Sequence, residues 1–243
     1  MGYEAILFDM DGVIVDTYQS VTEFWQNLAQ AYQVHLTQTN FNQHVYGCPA
    51  THTLDVLFSH LSAGERQSIL AKMANYEANL TYTGVRGAIA FLRTLKKHSI
   101  LTALVTSGDQ WKVNEVVHQL GIDGMFTAKV TIGDIQRGKP HPECYLLAAQ
   151  RLQKPPEQCI VFEDSISGVK AAVASKALCI GIGPSSIASP LLQAGACYVV
   201  PDFTSINLLV REDDAVTGLN IQIGAEHSLP LSSSPLGIGQ SNG

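Results

Sequence analysis

Two aspartates follow directly on the first apolar segment of the sequence. Ala5–Phe8 are apolar, Asp9 and Asp11 come next, and Gly12 gives the chain room to turn. Carboxylates are almost never buried without a partner, so a chain has little reason to place two of them at the end of a core strand unless they serve a purpose. The pair is therefore the first candidate for chemistry.

Three other apolar strands also run into polar side chains. Because ligands bind outside the carboxyl ends of the strands in a parallel α/β sheet, we expect these strand ends to share one crevice. Each motif alone has an ordinary explanation as a turn, a helix cap or a solvated loop residue, but their coincidence at strand ends favours a site. The residues concerned are Thr106, Ser107 and Gly108 after LTALV, Lys139 in RGKPHPE after the third strand, and Glu163 and Asp164 after CIVF.

This set of side chains suits phosphoryl transfer. Up to four carboxylates in one crevice repel each other unless a cation lies among them, and hard oxygen ligands of this kind select Mg²⁺. A metal ion, a lysine and hydroxyl donors together form an electropositive cradle for a phosphate. One carboxylate can then attack phosphorus and form an aspartyl-phosphate, while the other protonates the leaving oxygen and later activates water.

The pattern of apolar residues predicts two kinds of structure along the chain. Residues 17–83 contain helical patterns at 17–32 and near 39–45, 51–60 and 63–80, and they contain no convincing strand. From about residue 84, short apolar strands alternate with helices of about ten residues, which predicts βαβ crossovers and a parallel sheet. We therefore predict an α/β core over 1–16 and 84–223 and a helical cap over 17–83. The Ser-, Gly- and Pro-rich residues 224–243 are expected to be a disordered tail.

Composition limits the classes of partner. The net charge is −6 and no cluster of Lys and Arg occurs, so nucleic acid is not an expected partner. No apolar run approaches the length of a membrane span, and the start of the sequence lacks the features of a signal peptide. The five cysteines include no C-x-x-C pair, which predicts free thiols and a cytoplasmic location. We expect a monomer or a small homo-oligomer whose partner is a small phosphorylated metabolite.

Four segments resemble the ordered motifs of the haloacid dehalogenase superfamily of phosphotransferases. They are FDMDGVIVDT, LVTSG, GKPHPE and VFEDSISGVKAA, and the resemblance covers residues 4 to about 207. The chain is similar in particular to the branch with a helical cap inserted after the first strand, which includes β-phosphoglucomutases and phosphoglycolate-type phosphatases. The resemblance implies a Rossmann-like parallel sheet with an inserted all-helical cap domain.

The resemblance also implies a role for each motif residue. Asp9 would be the nucleophile and Asp11 the general acid and base. The namesake dehalogenases lack an acid at the second position, so Asp11 argues against dehalogenation. The remaining expectations are that Thr106 and the Ser107 amide, next to Gly108, bind the phosphoryl group, that Lys139 neutralises charge, and that Asp164 and Glu163 bind Mg²⁺ beside the Asp9 carboxylate and the Asp11 main-chain carbonyl.

Substrate choice is expected to depend on the cap. The cap contains only two basic residues, Arg66 and Lys72, although a substrate with a second phosphate would normally require an arginine there.

β-Phosphoglucomutases typically carry a His and an Arg where this chain has Val21 and Ala50. Their absence favours a Mg²⁺-dependent phosphatase of a sugar phosphate or similar metabolite over a phosphomutase. A non-catalytic phosphate-binding regulatory protein is a second alternative, although it would usually have lost Asp9 or Asp11. The cap residues expected to face the substrate are Tyr18, Gln19, His44, Tyr46 and His52.

Overall fold

The core of the molecule is a parallel sheet of six strands. The structure is a computed structural model and describes residues 2–213, 216–224 and 227–232. In the sheet the strands lie in the order β3-β2-β1-β4-β5-β6, so the first strand of the chain is central. The strands are β1 (Ala5–Asp9), β2 (Leu101–Val105), β3 (Ala128–Val130), β4 (Cys159–Glu163), β5 (Leu178–Ile182) and β6 (Tyr198–Val200).

Both faces of the sheet are covered, as parallel sheets require. Along β1 the side chains alternate between two apolar clusters: Ile6 and Phe8 belong to one, and Ala5 and Leu7 to the other. This alternation explains why the strand is apolar throughout and lacks a polar face. Five helices of the core, α5 (Ala88–Lys97), α6 (Gln110–Gln119), α7 (Glu143–Arg151), α8 (Ile166–Ala174) and α9 (Ser185–Ala194), follow the four helices of the cap along the chain.

The cap is a helical unit with its own core. Its apolar cluster is centred on the buried side chains of Trp25, Phe58 and Ile69. The chain enters and leaves the cap side by side, because the amide of Asp16 donates to the carbonyl of Thr83 at 2.8 Å. The cap helices are α1 (Tyr18–Ala31), α2 (Gln38–His44), α3 (Ala50–Leu57) and α4 (Ala63–Ala78). The predicted fold class, a parallel α/β core with an inserted helical cap, is confirmed.

Residues 227–232 belong to the expected disordered tail, but the structure gives them a defined conformation. Strands β7 (Ile206–Asp213), β8 (Val216–Ile223) and β9 (His227–Leu231) form a separate antiparallel sheet. β9 is ordered because it pairs with β8 and because Leu231 packs into the larger core cluster, where it is 2% exposed. The remainder of the predicted tail, 225–226 and 233–243, lies outside the described residues. None of the helices in the described part of the chain has the length and apolar character that crossing a lipid bilayer requires.

Candidate active site

The carboxyl ends of the central strands bring the predicted acidic residues together. Asp9 ends β1 and Glu163 ends β4, and these strands pair side by side with Phe8 opposite Phe162. Carboxylate oxygens of Asp9, Glu163 and Asp164 lie within 4.8 Å of one another. Three carboxylates this close, in a buried setting, require a compensating cation.

The predicted metal site is supported by one unsatisfied atom. Oδ1 of Asp164 is buried and has no hydrogen-bond partner among the described residues. Burial, followed by the charges of Glu163 and Asp9, raises the pKa of Asp164 well above its usual value. Burial likewise raises the pKa of Asp9 to about 8, although Lys139 opposes the shift. A divalent cation favours the ionised form of both groups, so the donor set fits a hard ion such as Mg²⁺.

Gly12 allows Asp164 to reach this position. Its φ is +78°, a left-handed conformation that residues with a side chain rarely adopt, and a Cβ atom there would lie 2.0 Å from Oδ2 of Asp164. Residue 12 is therefore a glycine for two reasons, the turn and the close approach of a carboxylate.

Lys139 lies beneath the site rather than in a solvated loop. Its ammonium group donates to Oδ1 of Asp9 and, at 2.6 Å, to Oε1 of Glu163, and its side chain is 1% exposed. Burial alone would lower the pKa of Lys139, but the two carboxylates hold it well above its ordinary value. The lysine therefore stays cationic and fixes the orientation of Asp9.

Glu163 has more partners than the sequence suggests. Oε1 also accepts a hydrogen bond from the hydroxyl of Tyr145 at 2.7 Å, and Oε2 accepts from the amides of Asp164 and Ser165 at 3.0 and 3.1 Å. These contacts anchor Lys139 and the loop that follows β4. Tyr145, whose ring also lies 5.2 Å from the ammonium of Lys139, was not predicted as a site residue.

Asp11 lies apart from the carboxylate cluster. Its Oδ1 accepts hydrogen bonds at 2.9 Å from the hydroxyl of Thr17 and from the ammonium of Lys112. The side chain of Asp11 is thus held separately from that of Asp9. The expected contact of its main-chain carbonyl with a metal ion stays a prediction.

Lys112 and Glu77 join the site although neither was predicted. Lys112 is 6% exposed, and its ammonium donates at 2.7 Å to Oε1 of Glu77 on cap helix α4. Burial alone would lower the pKa of Lys112, but Asp11 and Glu77 raise it above its ordinary value. One signal was available in the sequence: Lys112 lies four residues before Val116 and therefore on the apolar side of α6.

The predicted phosphate loop lies beside Asp9. Thr106 is 2% exposed, and its Oγ1 accepts a hydrogen bond from the amide of Gly108 at 3.0 Å. The hydroxyl of Ser107 donates to the carbonyl of Gly47 in the cap at 3.1 Å. The loop that follows β2 therefore contacts the cap as well as the cavity.

A cavity of about 280 Å³ separates the core site from the cap. Of the cap residues expected to face the substrate, Tyr18 and Tyr46 line it, with their rings stacked 4.8 Å apart. The structure does not place the other three on the cavity. Gln19 donates a hydrogen bond to Glu23, and Nδ1 of His44 lies 3.3 Å from Nε2 of His52. Most of the cap's share of the lining is apolar: Val21, Trp25, Val45, Pro49, Ala50, Leu70, Met73 and Ala74.

Comparison with known proteins places these features in a family. The model of haloacid dehalogenase-like hydrolases matches residues 3–176. A phosphorylated carbohydrates phosphatase of Thermotoga maritima is 32% identical over 85% of this chain and 98% of its own length. Hexitol phosphatase A of Escherichia coli K12 is 33% identical over 72% of this chain and 81% of its own. The crystal structure of a putative beta-phosphoglucomutase from Thermotoga maritima is similar with a TM-score of 0.61 and 31% identity, covering 81% of this chain and 94% of that one.

Proposed function

Because the chain belongs to the family of haloacid dehalogenase-like hydrolases, we propose that it is a Mg²⁺-dependent phosphatase that hydrolyses a small phosphomonoester, a sugar phosphate or a similar metabolite. The observation that carries the proposal is the position of Asp9, ion-paired with the buried Lys139 and close to Glu163 and Asp164. The names of the two relatives, a phosphatase of phosphorylated carbohydrates and a hexitol phosphatase, support the substrate class.

In the proposed reaction a carboxylate oxygen of Asp9 attacks phosphorus, and the bond between phosphorus and the ester oxygen breaks. Asp11 gives its proton to the leaving oxygen, so an alcohol departs. Asp11 then takes a proton from a water molecule whose oxygen attacks the same phosphorus, and the bond between phosphorus and Asp9 breaks. Inorganic phosphate is released and both carboxyl groups return to their starting states.

Other residues of the chain would bind and orient the phosphoryl group. Thr106 and the amide of Ser107 would donate to its oxygens, and Lys139 would balance the charge on Asp9. Asp9 and Asp164 would hold Mg²⁺, with Glu163 beside them and the main-chain carbonyl of Asp11 as a further ligand. When bound, the ion supplies positive charge where negative charge develops during the transfer.

The cavity favours hydrolysis over return of the phosphoryl group to a sugar. β-Phosphoglucomutases typically carry a His and an Arg at the positions of Val21 and Ala50. Both Val21 and Ala50 line the cavity. Nη1 of Arg66 lies 2.6 Å from Oδ1 of Asp55, and Arg66 is not among the residues that line the cavity. Among the described lining residues, Lys112 is the cation, and it is ion-paired with Asp11 and Glu77. A second phosphate on the substrate would therefore lack a partner in the cap.

The test is a panel of phosphorylated metabolites assayed for release of inorganic phosphate, with Mg²⁺ and after dialysis against EDTA. We expect release from one or a few sugar phosphates, with Mg²⁺ only. Detection of an isomeric sugar phosphate without phosphate release would identify a phosphomutase instead. Phosphate binding without turnover of any compound, including an aryl phosphate, would identify a regulatory protein.

The nucleophile is tested in the same assay with Asp9→Asn. This change keeps the size of the side chain and removes the attacking charge, so turnover should fall by several orders of magnitude because phosphate esters depend on large rate accelerations. More than a tenth of the original turnover in Asp9→Asn would contradict the covalent route. A cytoplasmic location and a monomer or small homo-oligomer stay predictions from the sequence.

A further inference from the structure

The strongest unassigned feature is the buried ion cluster of Lys112, Asp11 and Glu77. We propose that Lys112 is a positioning residue: it holds the carboxyl group of Asp11 in place for proton transfer, and it does so only while Glu77 of the cap holds Lys112. The inference rests on the proposed function, because it assigns Asp11 the exchange of protons with the leaving group and with water.

The three residues come from parts of the chain that meet only in the folded molecule. Asp11 follows β1, Glu77 lies near the end of cap helix α4, and Lys112 lies in the first turn of core helix α6. The ammonium of Lys112 is 2.9 Å from Asp11 and 2.7 Å from Glu77. Lys112 is therefore a direct link between the cap and the residue proposed as acid and base.

The side chains in this link are shielded from solvent to different degrees. The side chain of Lys112 is 7% exposed, that of Glu77 is 13% and that of Asp11 is 28%. An ammonium group that is nearly buried requires anionic partners, so loss of Glu77 would leave Lys112 with Asp11 alone. The position of Lys112, and with it that of Asp11, thus depends on the cap.

The hydrogen bonds also orient the Asp11 carboxyl group. Thr17 and Lys112 both donate to Oδ1, and this leaves Oδ2 for the reacting group. Thr17 approaches from the start of the cap and Lys112 from the core, so the two donors hold Oδ1 in place from two sides. Without Lys112, Oδ1 would keep only the hydrogen bond from Thr17, and the carboxyl group of Asp11 would be free to rotate about that bond.

Two roles of Lys112 predict different kinetics. If Lys112 only fastened the cap, its removal would affect all substrates alike. If it positions Asp11, the effect must depend on the leaving group. An alkoxide needs a proton as it departs, whereas nitrophenolate leaves without one, because its conjugate acid is far stronger.

The experiment compares kcat/KM for p-nitrophenyl phosphate with kcat/KM for the alkyl phosphomonoester that turns over fastest in the panel. For Lys112→Met we expect a loss of roughly 100-fold or more with the alkyl ester, the usual contribution of a positioned acid, and less than about tenfold with the aryl ester. The aryl ester should also show a burst of nitrophenolate, since breakdown of the aspartyl-phosphate still needs Asp11. Glu77→Gln should give the same pattern more weakly, and Lys112→Arg should restore part of the alkyl activity.

Lys72→Met is the matched control, because Lys72 is an exposed lysine on the same cap helix as Glu77. It should leave both rate constants unchanged. Equal losses with the two esters, or unchanged rates in both Lys112→Met and Glu77→Gln, would overturn the positioning role. If Lys112→Met fails to fold, the leaving-group dependence of Glu77→Gln decides. A wild-type protein that hydrolyses neither ester would instead refute the proposed function.

Discussion

Asp164 can reach the carboxylate cluster because Gly12 lacks a side chain. A Cβ atom at Gly12 would lie 2.0 Å from Oδ2 and 2.5 Å from Cγ of Asp164, so one of the two residues would have to move. We predict that Gly12→Ala lowers phosphatase turnover by about 100-fold or more and raises the Mg²⁺ concentration needed for half-maximal activity. A metal titration of activity measures both effects.

The control for this change is Gly121→Ala. Gly121 also has a left-handed backbone, with φ of +61°, but a Cβ atom there would meet no atom within 4 Å. Both variants should lose stability from backbone strain, of order 1 kcal/mol, and only Gly12→Ala should lose affinity for the metal. An unchanged metal titration in Gly12→Ala would contradict the prediction that the added Cβ atom displaces Asp164 from the metal site.

The sequence predicted which polar side chains lie close together where they belong to a strand end, and it did so poorly where they depend on a tertiary contact. Asp9, Thr106 and Glu163 follow apolar strands, and parallel strands end at one edge. Lys112 and Glu77 are 35 positions apart on different units, so no local pattern pairs them. His44 and His52 were expected at the cavity because of their residue type. The residue type does not determine the direction in which a side chain points.

At the scale of the elements, Asp134 joins the loop after β3 to helix α7. Its Oδ2 accepts a hydrogen bond from the amide of Thr131, and its Oδ1 pairs with Arg151 at 2.6 Å. The hydrogen bond from Arg151 and the one from the backbone of Thr131 lower the pKa of Asp134 from 3.8 to about 2. The ionised form is therefore favoured by folding.

We predict that Asp134→Asn lowers the free energy of unfolding at neutral pH. A folded-state pKa below the unfolded value stabilises the protein above pH 4, and this contribution is lost as the pH falls toward 2. The difference between wild type and variant should thus shrink between about pH 4 and about pH 2. Urea unfolding of both proteins at several pH values tests this, and a difference that stays constant or grows in acid would contradict it.

The cap is predicted to determine selectivity rather than the chemical step. Replacement of residues 17–83 by a short Gly-Ser linker should reduce discrimination among the metabolites of the panel more than it reduces hydrolysis of p-nitrophenyl phosphate, since the cap supplies most of the apolar lining. Monodispersity must be checked first, because the change exposes apolar core surface. If the capless core discriminates as well as the intact chain, the cap does not determine selectivity.

Two elements form although the local sequence argues against them. α9 contains Pro190, which argues against a helix, yet it is formed. β9 includes Pro230 within a Ser- and Pro-rich stretch that is typical of disorder. What orders β9 is its pairing with β8 and the burial of Leu231, and neither is visible in local composition.

For the whole molecule, β9 links the end of the described chain to its beginning. The amide of Tyr3 donates to the carbonyl of Pro230, and the amide of Ser232 donates to the carbonyl of Tyr3. We predict that Leu231→Ala lowers the free energy of unfolding by about 2–4 kcal/mol, the usual effect of removing a buried leucine side chain. Denaturant unfolding measures it. Leu209→Ala, at a side chain that is 42% exposed, should change stability by less than about 0.5 kcal/mol. Equal effects of the two changes would mean that β9 does not contribute to the core.

The adjacent entry and exit of the cap have a consequence for how such a protein can diverge. Because the amide of Asp16 meets the carbonyl of Thr83 at 2.8 Å, the inserted segment begins and ends at one point of the core. A recombination event that lengthens, shortens or exchanges the intervening gene segment leaves the ends of the core where they were, and the entropy of loop closure changes only slowly with length. Substrate range and phosphoryl chemistry can therefore be inherited separately. If Lys112 acts as proposed, one condition limits the exchange: the incoming cap must present an anion to Lys112, as Glu77 does here.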